Sequence, residues 1–136
     1  MFHIIEHFAP KDLLNFMDYY LDRLKKRGYL IIATPLNWSG FYNDFDHIKP
    51  YYPMGIEMVF QGNTSQVQYY SRNKIKLIDI WIRRAPFINV VNKRLHKDKN
   101  SYTHLLMNTI SKALFKYSFG IIGRSNGWMG LYRKIK

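Results

Sequence analysis

Two short clusters in this sequence hold side chains that can move a proton or hold a cation: Glu6-His7, and Asp44, Asp46 and His47 within four residues. A carboxylate next to an imidazole can orient it as a general base, and the same donor types can hold a metal. The competing reading of the second cluster is turn chemistry, in which Asn43 and Asp44 bond their own backbone. His3, Glu6 and His7 also spell H-x-x-E-H, a pattern in which histidines four apart on a helix bind zinc while the glutamate acts as base. That chemistry requires a helix. Ile4, Ile5 and the nearby Pro10 favour a strand instead, on which His3 and His7 stand ~13 Å apart at about 3.3 Å per residue. No metal site is assigned on this basis, and His3 is placed at a sheet edge.

The elements that must position these clusters follow from the flanking pattern. Residues 2–8 (FHIIEHF) are expected to form a strand ended by Pro10. A helix follows, with Pro10 in its first turn, Asp12 complementing the N-terminal dipole, and Leu13, Met17, Tyr20 and Leu24 on one face. Basic residues load its last turn to Arg27, and Gly28 offers a left-handed C-cap. Residues 29–33 (YLIIA) are short, partly β-branched and bounded by Gly28 and Pro35, as in a strand buried on both faces of a parallel sheet. Strand, helix and strand in this span make a βαβ unit. In open α/β sheets a ligand sits outside the carboxyl ends of the strands, so the loop 35–52 is the place to expect a site.

Further along, residues 53–61 are expected as two helical turns broken at Gly62-Asn63, and 65–71 as a strand. Residues 75–82 fit strand and helix equally. Phe87, Val90, Val91 and Leu95 suggest a short helix, 96–100 a solvated turn, and Ser101 a cap for a helix to about Tyr117. Leu105, Leu106, Ile110, Ala113 and Leu114 form the expected buried side of that helix. Four glycines then punctuate a final strand near 128–135.

The order of Glu6-His7, a helix, Gly28-Tyr29, an apolar strand, Thr34-Pro35 and Asn43-Asp44-x-x-His47-x-Lys49-Pro50-Tyr51 resembles class I S-adenosylmethionine-dependent methyltransferases of glycan and lipid modification. The departures are Leu36, which displaces the family's asparagine to Asn37, and Lys49 in place of arginine. The resemblance covers about residues 2–70 well and the rest loosely. It implies the C-terminal part of a Rossmann-like α/β sheet, strands four to seven, with a helical insertion before the last strand. On this reading 1–71 is the βαβ core with its active-site loop, 72–136 is a basic helical insertion with the final strand, and the whole is one partial domain. The first half of such an enzyme is not in the sequence, because no glycine-rich turn follows a first strand and no acidic residue follows it to bind a ribose. A truncated or split protein is therefore expected.

The resemblance also assigns roles. His47, Asp44 and His7 are the expected catalytic residues, with Asp44 orienting the base; Glu6 and His7 line the donor side of the cleft. Asn43, Lys49, Tyr51 and Trp38 are expected at the acceptor. Of the aromatic set Trp38, Phe41, Tyr42, Phe45, Tyr51 and Tyr52, half should bury as a satellite core and half remain to stack on a sugar, an aromatic acceptor or adenine.

Composition sets the outer limits. A chain of 136 residues with 47% apolar content can bury a core, and without cysteine it has no disulfide or thiolate chemistry. No apolar run reaches the roughly 20 residues of a membrane span, and a cytoplasmic protein, peripheral at a membrane, is expected. Residues 1–71 hold 6 Lys/Arg against 7 Asp/Glu, whereas 72–136 hold 15 against 2. The basic half interleaves Lys74, Lys76, Arg83 and Arg84 with Ile75, Ile78, Trp81 and Ile82. A solvated basic face over a core face is the plain reading; an anionic membrane surface is preferred over nucleic acid among the sharper ones, given the apolar content. The alternative to the enzyme is a non-catalytic basic module that binds anionic membrane or RNA.

Overall fold

The strand that carries the site, β1 (Tyr29–Pro35), forms as its composition requires, but its neighbours differ from a parallel sheet. It pairs antiparallel with β3 (Arg124–Lys134), from Tyr29 opposite Arg133 to Pro35 opposite Gly127. On the other side of β3 lies β2 (Ile75–Ala85), also antiparallel, so the sheet order is β1-β3-β2. This is a computed structural model, and it describes residues 1–38, 40–62, 67–87 and 102–136, with side chains in the last stretch from 105.

The strand expected over 2–8 shrinks to one parallel bridge, Phe2 with Ala33. His3 N donates to the Ala33 carbonyl at 2.8 Å, and Ala33 N to the Met1 carbonyl at 2.8 Å. Pairing stops there because His3 adopts a left-handed φ of 51° and the chain winds into a 3-10 turn at Ile5–His7. The direction is that of a βαβ unit; the ladder is not.

Helix α1 (Pro10–Arg23) starts at Pro10 as the sequence indicates. Its buried face is Leu13, Met17 and Leu21, each worth about 1.5–3 kcal/mol when fully covered. Tyr20, expected on that face, is half exposed. The helix ends four residues before Arg27, and the left-handed residue is Arg27 (φ 68°), not Gly28. Its terminal carbonyls are satisfied from the far end of the chain: the buried Lys134 ammonium on β3 donates to Leu21 and Leu24 carbonyls. A cation at a helix C-terminus also complements the dipole.

Helix α2 (Pro53–Gln61) buries Ile56 and Phe60 and stops at Gly62, whose φ of 75° only glycine takes readily. Residues 67–71 are irregular where a strand was expected over 65–71, because Ser71 and Asn73 are turned back on α1. Asn73 Nδ2 donates to Asp18 at 2.9 Å and to Asp22 at 2.8 Å, and Arg72 pairs with Asp22. The stretch 75–82, ambiguous in sequence, is strand. β3 starts at Arg124, four residues before the expected start, and Gly130 lies inside it as a packing residue. A Cβ there would meet the Tyr132 and Trp128 rings at 2.8 and 2.9 Å.

The core joins Ile5, α1, α2, Ile32, Tyr51, Ile75, Trp128 and Tyr132. It covers one side of β1 only: Tyr29 and Ile31 on the other side are exposed, against the expectation of a strand buried on both faces. β2 is covered only at its start. Ile75 is fully buried, whereas Ile78, Ile80, Trp81 and Ile82 are exposed. Helix α3 (Tyr102–Tyr117) confirms the expected helix but reverses its burial. Of the expected buried side, Leu105, Leu106, Ile110 and Leu114 are exposed and Ala113 is half-buried, and none of them joins the core. The helix expected over 87–95, the turn at 96–100 and the Ser101 cap lie outside the described residues. No helix of the described residues is long and apolar enough to cross a membrane.

Candidate functional site

The loop after β1 returns to the 3-10 turn at Ile5–His7, and so brings together residues forty apart in sequence. Ile48 N and Lys49 N both donate to the Glu6 carbonyl, at 2.9 and 3.2 Å. Two deeper bonds hold the exit of the loop. The Tyr51 hydroxyl donates to the Phe8 carbonyl at 2.9 Å, and Trp128 Nε1 donates to the Tyr51 carbonyl at 2.8 Å. Burial, with the Asp12 charge acting in the same sense, pushes the Tyr51 phenol up to about 12, so it stays a hydrogen-bond donor.

Within this frame the His7 and His47 rings sit 4.9 Å apart, and His47 stacks on the buried Phe41 ring at 4.5 Å. Each imidazole is oriented by a backbone carbonyl. His47 Nδ1 donates to Phe41 O at 2.7 Å and His7 Nδ1 to Asp46 O at 3.1 Å. A carbonyl can only accept, so the proton of each neutral ring is on Nδ1 and the lone pair is on Nε2. Asp44 Oδ2 lies 3.5 Å from His47 Nε2. The turn chemistry of Asp44 is present as well: its Oδ1 accepts from Asp46 N at 3.3 Å. One carboxylate does both.

Glu6 is fully buried. Its Oε2 accepts from the Thr34 hydroxyl at 2.9 Å, whereas Oε1 has no hydrogen-bond partner. His3 Nδ1 approaches Oε1 to 3.3 Å without forming such a bond. An orphan carboxylate oxygen in the interior is costly, and its presence marks the site. Thr34 and the Phe41 carbonyl are the site groups that sequence reasoning missed. A hydroxyl just before the strand-ending proline was the available signal for the first; a backbone carbonyl leaves none.

The remaining expected residues spread out. Asn43 is exposed, with its backbone N–H on the Gly40 carbonyl at 3.2 Å. Trp38 is half-buried under the Arg124 guanidinium, 4.5 Å from the ring centre. Lys49 and Tyr51 line a hollow of about 460 Å³ with Leu13, Leu14, Tyr52 and Val59, to which neither histidine contributes. Of the six loop aromatics, Phe41 and Tyr51 are buried and Trp38 half-buried; Tyr42, Phe45 and Tyr52 are exposed, Phe45 completely.

No family model and no curated protein matches this sequence. Among solved structures, a SAM-dependent methyltransferase from Archaeoglobus fulgidus matches at TM-score 0.50 with 19% identity. The match takes in 98% of this chain and 57% of that one, so the chain spans little more than half the length of the solved enzyme. The likeness is one of fold. This chain's fold is similar to part of that enzyme's, and among the described residues the sheet is three-stranded and antiparallel where the resemblance implied strands four to seven.

Proposed function

We propose that the chain forms the acceptor side of a SAM-dependent methyltransferase, which places a methyl group on an oxygen or nitrogen of a glycan, lipid-linked or small-molecule acceptor. The observation that carries this reading is the approach of the His7 and His47 rings to 4.9 Å at the carboxyl end of β1, each with its Nδ1 turned to a backbone carbonyl, in a fold like that of part of a methyltransferase. S-adenosylmethionine brings a methyl group already activated on a sulfonium, so the protein has to align the partners and take up a proton. His47 Nε2 takes the acceptor proton, and Asp44 beside it balances the charge. His7 and Glu6 form the wall of the cleft; Asn43, Lys49, Tyr51 and Trp38 frame the acceptor side. The glycine-rich turn and ribose-binding carboxylate have no counterpart in these residues, and Glu6 is already engaged by Thr34. The donor is therefore held by a further segment or chain.

A lipid-linked acceptor is favoured by the β2–α3 arm. The register Pro35–Gly127–Arg83 puts the outer half of β2 at the same end of the sheet as the loop. There Trp81, Ile82, Leu106, Ile110 and Leu114 are exposed beside Arg83, Arg84, Lys112 and Lys116. An apolar hollow of about 450 Å³ opens between Phe87, Met107, Ile110, Leu114 and Ile122. Aromatic and aliphatic groups flanked by cations match an anionic lipid surface. The same arm is what a non-catalytic basic module would use, and RNA is the weaker partner because phosphate binding needs no apolar stripe.

Label transfer from S-adenosylmethionine tests the enzyme reading. The 136-residue chain alone should neither bind the donor in the low micromolar range nor transfer label; joined to a donor-binding segment it should transfer label to lipid or glycan acceptors. Asp44→Asn and His47→Ala should then lower turnover by tenfold or more, since general-base assistance is worth about 10²–10⁴-fold. Low-micromolar donor affinity for the chain alone would reveal a donor site in these residues. Absence of transfer in both arrangements removes the methyltransferase reading and leaves the basic module.

A further inference from the structure

We infer that Glu6, His7 and His47 form a binding site for one divalent transition-metal ion of the zinc class. One ligand atom from each lies within 4.8 Å of the others, and the three come from two segments that the loop clamps together. Ligands bound at roughly 2.0–2.2 Å in a tetrahedron stand about 3.4 Å apart, so small rotations of the two rings close the set.

Three independent features prepare these atoms for a cation. Both imidazoles spend their Nδ1–H on backbone carbonyls, which leaves Nε2 as the nitrogen each can offer, with the Asp44 carboxylate 3.5 Å from that of His47; metal-bound histidines are oriented in this way. Glu6 offers Oε1, which is buried and without a hydrogen-bond partner, with the exposed His3 Nδ1 3.3 Å from it. A buried carboxylate oxygen without a hydrogen-bond donor is stabilised by a bound cation. The other carboxylate oxygen is fixed by Thr34, the outer-shell contact that a ligating carboxylate needs. Two nitrogens and one carboxylate suit borderline ions, zinc, cobalt or ferrous iron, above magnesium or calcium, which prefer all-oxygen sets.

Three protein ligands leave a fourth position open. Asp44 stands beside this set, its Oδ2 3.5 Å from His47 Nε2. The role of that position rests on the methyl-transfer reading and revises its base: with the ion bound, an acceptor hydroxyl held there would be acidified and would pass its proton to Asp44, and His47 would serve as a ligand in place of the base. The site itself does not depend on that reading. The zinc pattern His3-x-x-Glu6-His7 is replaced here by Glu6, His7 and the remote His47, on a 3-10 turn and a loop instead of a helix.

Cobalt chloride titration of the purified chain is the test, read as visible d–d absorption, with zinc chloride as competitor. The expected result is one saturable equivalent of cobalt per chain, displaced by one equivalent of zinc, and a zinc-dependent rise in melting temperature. Glu6→Gln, His7→Ala and His47→Ala should each weaken binding by 10-fold or more, whereas His3→Ala should not. Because His47 also packs on Phe41, each variant is melted without metal. One that remains folded yet shows no zinc-dependent rise supports the site; one that retains the full rise overturns it. Failure of the folded parent chain to bind cobalt also overturns the site, without touching the methyl-transfer reading. Binding in a chain that supports no label transfer removes only the role given to the fourth position.

Discussion

The two edges of the sheet obey opposite rules. At the β1 edge the exit of the loop is fastened: to Glu6 by two amides, to Phe8 by a phenol, and to β3 by Trp128. At the β2 edge the strand leaves its cover after Leu77, and α3 leaves Leu105, Leu106, Ile110 and Leu114 in solvent. Apolar content is high in both. What differs is whether a polar partner fixes each apolar group in place, and that separates a preorganised site from a surface shaped for something outside the chain.

Two tryptophans give the sharpest form of this contrast. Trp128 is buried and holds the loop through its indole N–H, whereas Trp81 is half exposed. Trp128→Ala should cost about 3–5 kcal/mol through lost packing and the cavity it leaves. Trp81→Ala should cost no more than ~0.5 kcal/mol, as a surface substitution does. Denaturant midpoints of the two variants decide it; equal losses would mean that the arm is as integral to the fold as the core.

The next effect belongs to the arm alone. On anionic vesicles the parent chain should bind in a salt-sensitive way, and Leu106→Glu with Ile110→Glu should weaken binding by tenfold or more at an unchanged melting temperature. Binding to neutral vesicles equal to that on anionic ones would remove the electrostatic contribution. A large drop in melting temperature together with a change in sedimentation would identify a second copy of the chain as the true cover of this face. Selective retention of RNA would point to the nucleic-acid reading.

How far these edges were legible from sequence follows from the range of the interactions that make them. Pro10, Asp12 and the spacing of Leu13 and Met17 announce the start of α1, because caps and faces are local. The end of α1 was misread since its cap, Lys134, lies 110 residues beyond Leu24. Antiparallel pairing of β1 with the last strand leaves no mark on β1 itself, which is apolar either way. Gly130 shows in the sequence only as a glycine punctuating the last strand, because sequence cannot show that two rings close over it. The stripe on α3 has the periodicity of a buried face, and periodicity reports that a face exists without saying what covers it. At the site, His7 and His47 were both singled out, but their approach to 4.9 Å depends on the loop's return to the Glu6 carbonyl.

The smallest effect tests where the covered part of β2 ends. Arg72 and Asn73, just before Ile75, grip Asp18 and Asp22 on α1, and the hydrogen bond from Arg72, with Asn73 second, holds the Asp22 carboxyl down at about 2. A carboxylate whose folded pKa lies below its unfolded value adds stability that is present above the unfolded value near 3.8 and lost as pH falls through 2. The parent chain should therefore lose stability more steeply than Arg72→Ala between those two pH values. Above that window the difference between the two should be small and constant, and salt should reduce it, because the pair is exposed and screened. Urea midpoints measured through the acid range supply the comparison. Arg72→Ala should leave vesicle binding almost unchanged, since the clamp holds β2 on α1 while the arm beyond Leu77 makes the lipid contact. If the variant instead loses vesicle binding along with its acid dependence, the arm is held in position by this clamp, and the two parts of β2 behave as one unit.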